Sequence, residues 1–169
     1  MRLRTCCLLL ILFAIGLTLQ IANAQDKMVY ASKVTSKFVN FLGLPTCMTG
    51  SVQKGDPSSE PAVILAKSAT GCVVPWHWHT ADEQLMMVSG TGKVGMKDGQ
   101  PVVVRSGDYL ALPGKQVHEF ACVAACTMFF IPSAAFDIHY VDKDGKEISP
   151  DEALKGQMKA PMKKGTKKE

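Results

Sequence analysis

Beyond its first twenty-odd residues the chain has no apolar run that could span a bilayer, so a helical membrane protein is excluded. It has no Gly-x-Ser-x-Gly nucleophile elbow and no phosphate loop, which removes the serine hydrolases and nucleotide enzymes built on those devices. It has no internal repeat and no room for a separate DNA-reading or signalling domain. The body of the chain also lacks a charge excess. From residue 25 to 150, eleven Lys and Arg stand against twelve Asp and Glu. The last nineteen residues hold six Lys and three acids but no aromatic residue, which reads as a solvated, mobile end. No nucleic-acid partner is expected.

The start of the chain is a separate matter. Arg2 and Arg4 precede an apolar stretch over residues 6–19, and Ala22, Asn23 and Ala24 form a small-x-small site. This pattern predicts a secretory signal over residues 1–24, cleaved between Ala24 and Gln25, and a periplasmic or secreted protein. The stretch is shorter than the ~20 residues of a spanning helix, so no stable membrane insertion is expected. Four cysteines follow it: Cys47, Cys72, Cys122 and Cys126. In an oxidising compartment they permit two disulfides, in three connectivities. Cys122 and Cys126 can bond across a loop between strands, whereas on one straight strand they would stand ~13 Å apart.

What the chain does contain is many short apolar segments punctuated by turn residues. Strands are predicted over 46–52, 62–67, 72–79, 83–89, 92–97, 101–105, 109–112, 117–122, 126–131 and 137–141, and Asp98-Gly99 marks a hairpin. Ser32 followed by Val34, Phe38, Phe41 and Leu42 has the spacing of a short amphipathic helix that Pro45 stops. Ser149, Pro150 and Glu152 form a capping box for a second short helix. Gly90, Gly92 and Gly95 spell a dinucleotide fingerprint, but no helix follows them, so they belong to a hairpin.

The chemistry concentrates in two places. His77 and His79 lie two residues apart, on one face of an extended strand, with Trp78 on the other. Glu83 keeps the same parity. His118 follows a second turn built on Gly107 and Pro113. Three imidazoles and a carboxylate make a first coordination shell for a transition metal. Spacing and residue types together, with Gly71, His77, His79, Glu83 and Gly90 and then Gly107, Pro113 and His118, resemble the double motif of the cupins. Two positions depart from it. Lys115 stands where the family usually has Gly, with Gly114 one residue earlier, and Cys122 stands where it often has Asn.

The resemblance implies an all-β fold, a jelly-roll β-barrel over residues 45–149, flanked by short helices. An N-terminal extension would occupy 25–44, with a short helix and a basic, mobile tail over 150–169. It further implies one divalent metal (Fe, Mn, Ni, Cu or Zn) on His77, His79, Glu83 and His118, and a homodimer. Glu83 would double as a general base. Leu85, Met87, Phe120 and Cys122 share the ligands' parity and are expected to wall an apolar pocket for a small-molecule ligand or substrate. The leading expectation is an exported metal-dependent, dioxygenase-like enzyme on a small organic substrate. The alternative is a non-catalytic periplasmic protein that binds a metal or a small ligand. His139 and the two tryptophans are expected to serve packing or the surface.

Overall fold

The computed structural model describes residues 28–32 and 35–155. The predicted signal segment and the basic tail lie outside the described residues, as does Val34 of the predicted first helix. Among the described residues the nine strands are β1 (Met48–Lys54), β2 (Val63–Ser68), β3 (Val73–Trp78), β4 (Glu83–Met96), β5 (Val102–Arg105), β6 (Tyr109–Leu112), β7 (His118–Pro132), β8 (His139–Val141) and β9 (Glu147–Ile148). One five-residue helix, α1 (Pro150–Leu154), follows, and the Ser149 hydroxyl accepts from the Glu152 amide as its cap. Among the described residues no helix is long and apolar enough to cross a membrane.

The two longest strands form the spine. β4 and β7 run antiparallel from the Glu83–Pro132 pair to the Met96–His118 pair. On its other edge β7 pairs with β3 through its first half and with β2 through its second. On its other edge β4 carries β6 and then β5, the latter through the Asp98-Gly99 hairpin. β1 extends the sheet beyond β2, and β8 and β9 extend it beyond β3.

This ladder corrects the expected jelly-roll β-barrel. The hydrogen-bonded path runs from β1 to β9 and does not return on itself, so the nine strands form one open sheet. Closure needs the last strand to reach the first along a useful length. Here β9 is two residues long and Ser149 and Pro150 follow it, while β5 and β6 are four residues each and end as edges. Short edge strands are a usual way to leave an edge unpaired without inviting another chain. The flanking helices reduce to α1.

Two predicted breaks are continuous strand. Gly90, at φ +90°, lies inside β4 rather than between two strands. Residues 122–126 lie inside β7, where the pairing shifts register between Ser89, Thr91 and Gly92 of β4. These bulges bend the strand enough to bring the Cα atoms of Cys122 and Cys126 to 5.9 Å, and the two are joined as a disulfide. Cys47 is joined to Cys72.

The predicted helix over residues 32–42 is also corrected. After a turn at Thr35 the chain is extended, and Val39 pairs with Gly50 of β1 by two backbone hydrogen bonds of 2.9 Å. The four-residue spacing of apolar side chains is met without a helix. Phe41 and Leu44 turn inward over the sheet, and Leu42 is left fully exposed.

Candidate metal centre

A cavity of about 70 Å³ lies against the inner face. His77, on β3, and His118, at the start of β7, are directly opposed across the sheet, their ring centroids 4.2 Å apart. One extra residue around Pro75 shifts the β3 register just before His77. His79 stands just past the end of β3, and Glu83 opens β4. His77 and His118 are each 3% exposed, His79 7% and Glu83 8%.

Each of the three rings has its Nδ1 committed. His77 Nδ1 donates to the Pro75 carbonyl at 2.6 Å, and His118 Nδ1 donates to the Gln116 carbonyl at 2.8 Å. Both bonds reach two residues back along the chain. His79 Nδ1 donates to the Asp137 carbonyl, 58 residues away. A carbonyl can only accept, so in each ring the proton of the neutral form sits on Nδ1 and the Nε2 lone pair points into the cavity. One nitrogen from each of these three residues lies within 4.8 Å of the other two.

Glu83 completes the arrangement. Its Oε2 lies 3.3 Å from His79 Nε2 and 3.4 Å from His118 Nε2, yet it is fully buried without a hydrogen-bond donor. Opposite it stand lone pairs rather than protons when the rings are neutral. A buried anion facing lone pairs is costly, and a cation between them removes the cost. Without an ion, the charges compensate within the cluster. Burial alone would raise the Glu83 carboxyl, and the two imidazoles beside it hold it below the usual carboxylate range. Burial would lower His79, and Glu83 raises it above the ordinary histidine value. His77, buried and next to His118 and His79, is pushed down to about 3. The donor set therefore fits a divalent transition metal, with three neutral imidazoles and one carboxylate within reach and no thiolate. Their outer hydrogen bonds are of the kind that fixes ligand orientation around such ions.

The turn before His118 explains the first departure from the cupin motif. Gly114 approaches the Thr80 carbonyl so closely that a Cβ would stand 2.5 Å from it. Lys115 then takes the left-handed conformation, at φ +63°, the only described residue other than glycine to do so. Its amide donates to the His79 carbonyl at 2.7 Å, which ties the two ligand segments together.

Of the expected pocket walls, Leu85 and Phe120 line the cavity, whereas Met87 and Cys122 are buried outside its lining. Parity fixes the face of a strand but not the depth along it. Leu85 and Phe120 are two residues from a ligand, about 7 Å along a strand, while Met87 and Cys122 are four away, about 13 Å. The rest of the wall comes mainly from Phe41, Leu44, Met48, Met128, Phe130 and Phe136. Phe130 and Phe136 meet edge to face at 5.3 Å beside the His79 ring. None of these six was legible as a site residue, because each comes from a segment outside the two motifs.

Residues 64–132 match the cupin domain family. The fold is cupin-like. The chain is similar to the polyketide cyclase RemF from Streptomyces resistomycificus, at 15% identity and a TM-score of 0.63, over 79% of this chain and 95% of that one. It is similar to an RmlC-like cupin protein from Ralstonia eutropha JMP134, at 16% identity and a TM-score of 0.59, over 78% and 85%. An RmlC-like cupin from Shewanella frigidimarina NCIMB 400 gives 15% identity and 0.54, over 66% and 94%. No curated protein matches the chain in sequence. At these identities the likeness carries the fold and not the reaction.

Proposed function

We propose that this cupin-like protein holds one divalent transition metal on His77, His79 and His118, with Glu83 as fourth ligand, and that it is an oxygenase-like enzyme for a small organic molecule. The observation that carries the reading is the Glu83 Oε2 atom, buried without a donor and flanked by two nitrogens whose protons lie on the far side of their rings. When bound, the ion supplies open coordination positions and, if it is iron, manganese, nickel or copper, redox chemistry with dioxygen. The histidines hold it in fixed tautomers. Glu83 Oε2 either stays as a ligand or accepts a proton from a substrate brought within reach. Phe130 and Phe136 keep water from the His79 side.

The experiment is elemental analysis of protein purified without a metal-binding tag, followed by oxygen uptake with candidate small organic substrates. One equivalent of a redox metal with substrate-dependent uptake supports the reading. A full complement of metal with no turnover on any substrate favours the non-catalytic binding alternative. No metal, and none taken up on reconstitution, removes the metal reading and leaves only the alternative of a small-ligand binding protein.

We also propose that the protein is exported and cleaved after Ala24. Support comes from the leader pattern and from the two cysteine pairs, of a kind that persists in oxidising compartments. Intact-mass analysis of the protein from its producing cell checks this. A mature chain that begins at Gln25 agrees with it, and a full-length cytosolic chain with four free thiols contradicts it.

A further inference from the structure

Every polar side chain on the cavity wall except Thr49 belongs to the metal cluster. The wall has no Lys, Arg, Asn, Gln or Ser, and its remaining side chains are aliphatic, aromatic or thioether. The backbone offers little in exchange, because the lining positions of β1, β2, β4 and β7 are engaged in the sheet ladder. A ligand that places its head on the ion must therefore bury the rest of itself against carbon. A second charge on that ligand, such as a carboxylate or a phosphate, would be stripped of water with no partner.

Part of the cavity wall comes from a segment outside the sheet, through Phe41 and Leu44. Phe41 lies over Gly50, with Cε2 at 2.5 Å from the point where a Cβ would stand, so the ring occupies the space that the missing side chain leaves. Three separate contacts hold the segment there. Val39 pairs with Gly50, the Asn40 side-chain amide donates to the Thr46 and Met48 carbonyls, and the buried Tyr140 hydroxyl donates to the Gly43 carbonyl at 2.7 Å. Tyr140 is the register partner of His77, so this segment is tied to the strand that carries a candidate ligand.

We infer that the site selects a small uncharged ligand with an apolar body and one metal-seeking polar end, and that Phe41, seated on Gly50, is the specificity-determining residue that limits the length of that body. This deepens the metal reading and rests on it. Molecules that carry a phosphate, a carboxylate or several hydroxyls besides the group that meets the ion are disfavoured as substrates. The preferred class is a short alkyl or aryl compound with a single hydroxyl, carbonyl or heterocyclic nitrogen at one end.

The test loads wild type and Phe41→Ala with Co(II) and follows the visible bands during titration with imidazoles that share one head group. Wild type is expected to bind 4-ethylimidazole at least about tenfold more tightly than imidazole-4-acetate, since the carboxylate would be buried unpaired. It should bind 4-phenylimidazole weakly, and Phe41→Ala should gain at least about tenfold for that probe alone. Phe41→Leu, which keeps the position apolar, should give an intermediate gain if the alanine variant melts too low to assay. Equal affinity for the charged probe, or no gain in either variant, overturns the inference. The metal-free protein separates the two layers. NMR titration of Phe41→Ala with toluene and with benzoate should show the same preference for the uncharged ring without any ion. Failure of Co(II) to bind sinks the metal reading. The preference for toluene then decides whether the apolar selection survives it, and preference for benzoate overturns it.

Discussion

The two faces of β3 carry the same kinds of residue to opposite ends. On the inner face, His77 sits beside His118 with its Nδ1 bonded to a carbonyl and its Nε2 aimed into a cavity. On the outer face, Trp78 stacks on His139 at 3.9 Å and 6° between planes. His139 has a carboxylate at each ring nitrogen, Asp137 at 3.3 Å and Glu147 at 3.6 Å, and is about a third exposed. Both histidines are aromatic neighbours of another ring and both lie near an acid. What separates them is satisfaction. The outer ring and its two acids stand partly in solvent, which can serve their polar atoms, whereas the buried inner cluster leaves lone pairs and one carboxylate oxygen facing each other. A vacancy in the polar bookkeeping, rather than residue type, marks the site.

The sharpest way to break this contrast is to remove inner rings. His77→Ala and His118→Ala should each weaken metal binding by about a hundredfold or more, beyond the 10–100-fold expected when only an outer partner of a ligand is lost. Circular dichroism should show the sheet intact. Full metal retention by both variants would end the assignment.

Acid should discriminate next. The unfolded chain protonates His77 near its ordinary 6.5, whereas burial holds it at about 3 in the folded protein. The metal-free protein therefore loses stability as the pH falls from about 6.5 toward about 3, by at most roughly 1.4 kcal/mol per pH unit from this group. Glu83, held low, adds a loss of the same sign below the ordinary carboxylate range, whereas His79, held high, is flat across this window and costs stability only as the pH rises above 6.5. Urea midpoints measured across that window should fall less steeply in His77→Gln than in wild type. An unchanged slope would mean that His77 is not buried neutral.

The outer face should respond differently. His139→Ala removes a stacked ring and two exposed ion contacts, so a stability loss of about 1 kcal/mol is expected, with metal content unchanged. Loss of metal in that variant would show that the two faces are coupled through Asp137, whose carbonyl accepts from His79. The smallest effect concerns the turn that carries His118. Lys115→Gly relieves a left-handed backbone and should raise stability by about 0.5–1 kcal/mol in thermal melts, and a lowered midpoint would contradict the strain.

How much of this was legible beforehand follows from which relations are local. His77 and His79 share a face because of strand parity, and their spacing with Glu83 and His118 sufficed to bring them forward together. The capping of α1 and the Asp98-Gly99 hairpin are equally local. The carbonyl that fixes the His79 tautomer is not, since Asp137 reaches it from 58 residues away. The open edges depend on how far each strand is paired, which no window of sequence specifies. Bulges defeat parity as well. Cys122 and Cys126 are bonded within one strand because register shifts bend it, and Ser89-Gly90 continues a strand that its turn residues seemed to end. Phe41 was misplaced for a different reason. Its spacing from Phe38 and Leu42 suits a helix, and the backbone pairing of Val39 with Gly50 overrides that preference.

The most direct test is ¹⁵N NMR of the histidine rings in metal-free protein at alkaline pH, repeated after one equivalent of Zn(II). The account requires His77, His79 and His118 each to carry the proton on Nδ1 with Nε2 bare. All three Nε2 signals should move on addition of the ion while His139 stays in place. Protonated Nε2 in these rings, or Zn(II) that shifts His139 instead, would contradict it.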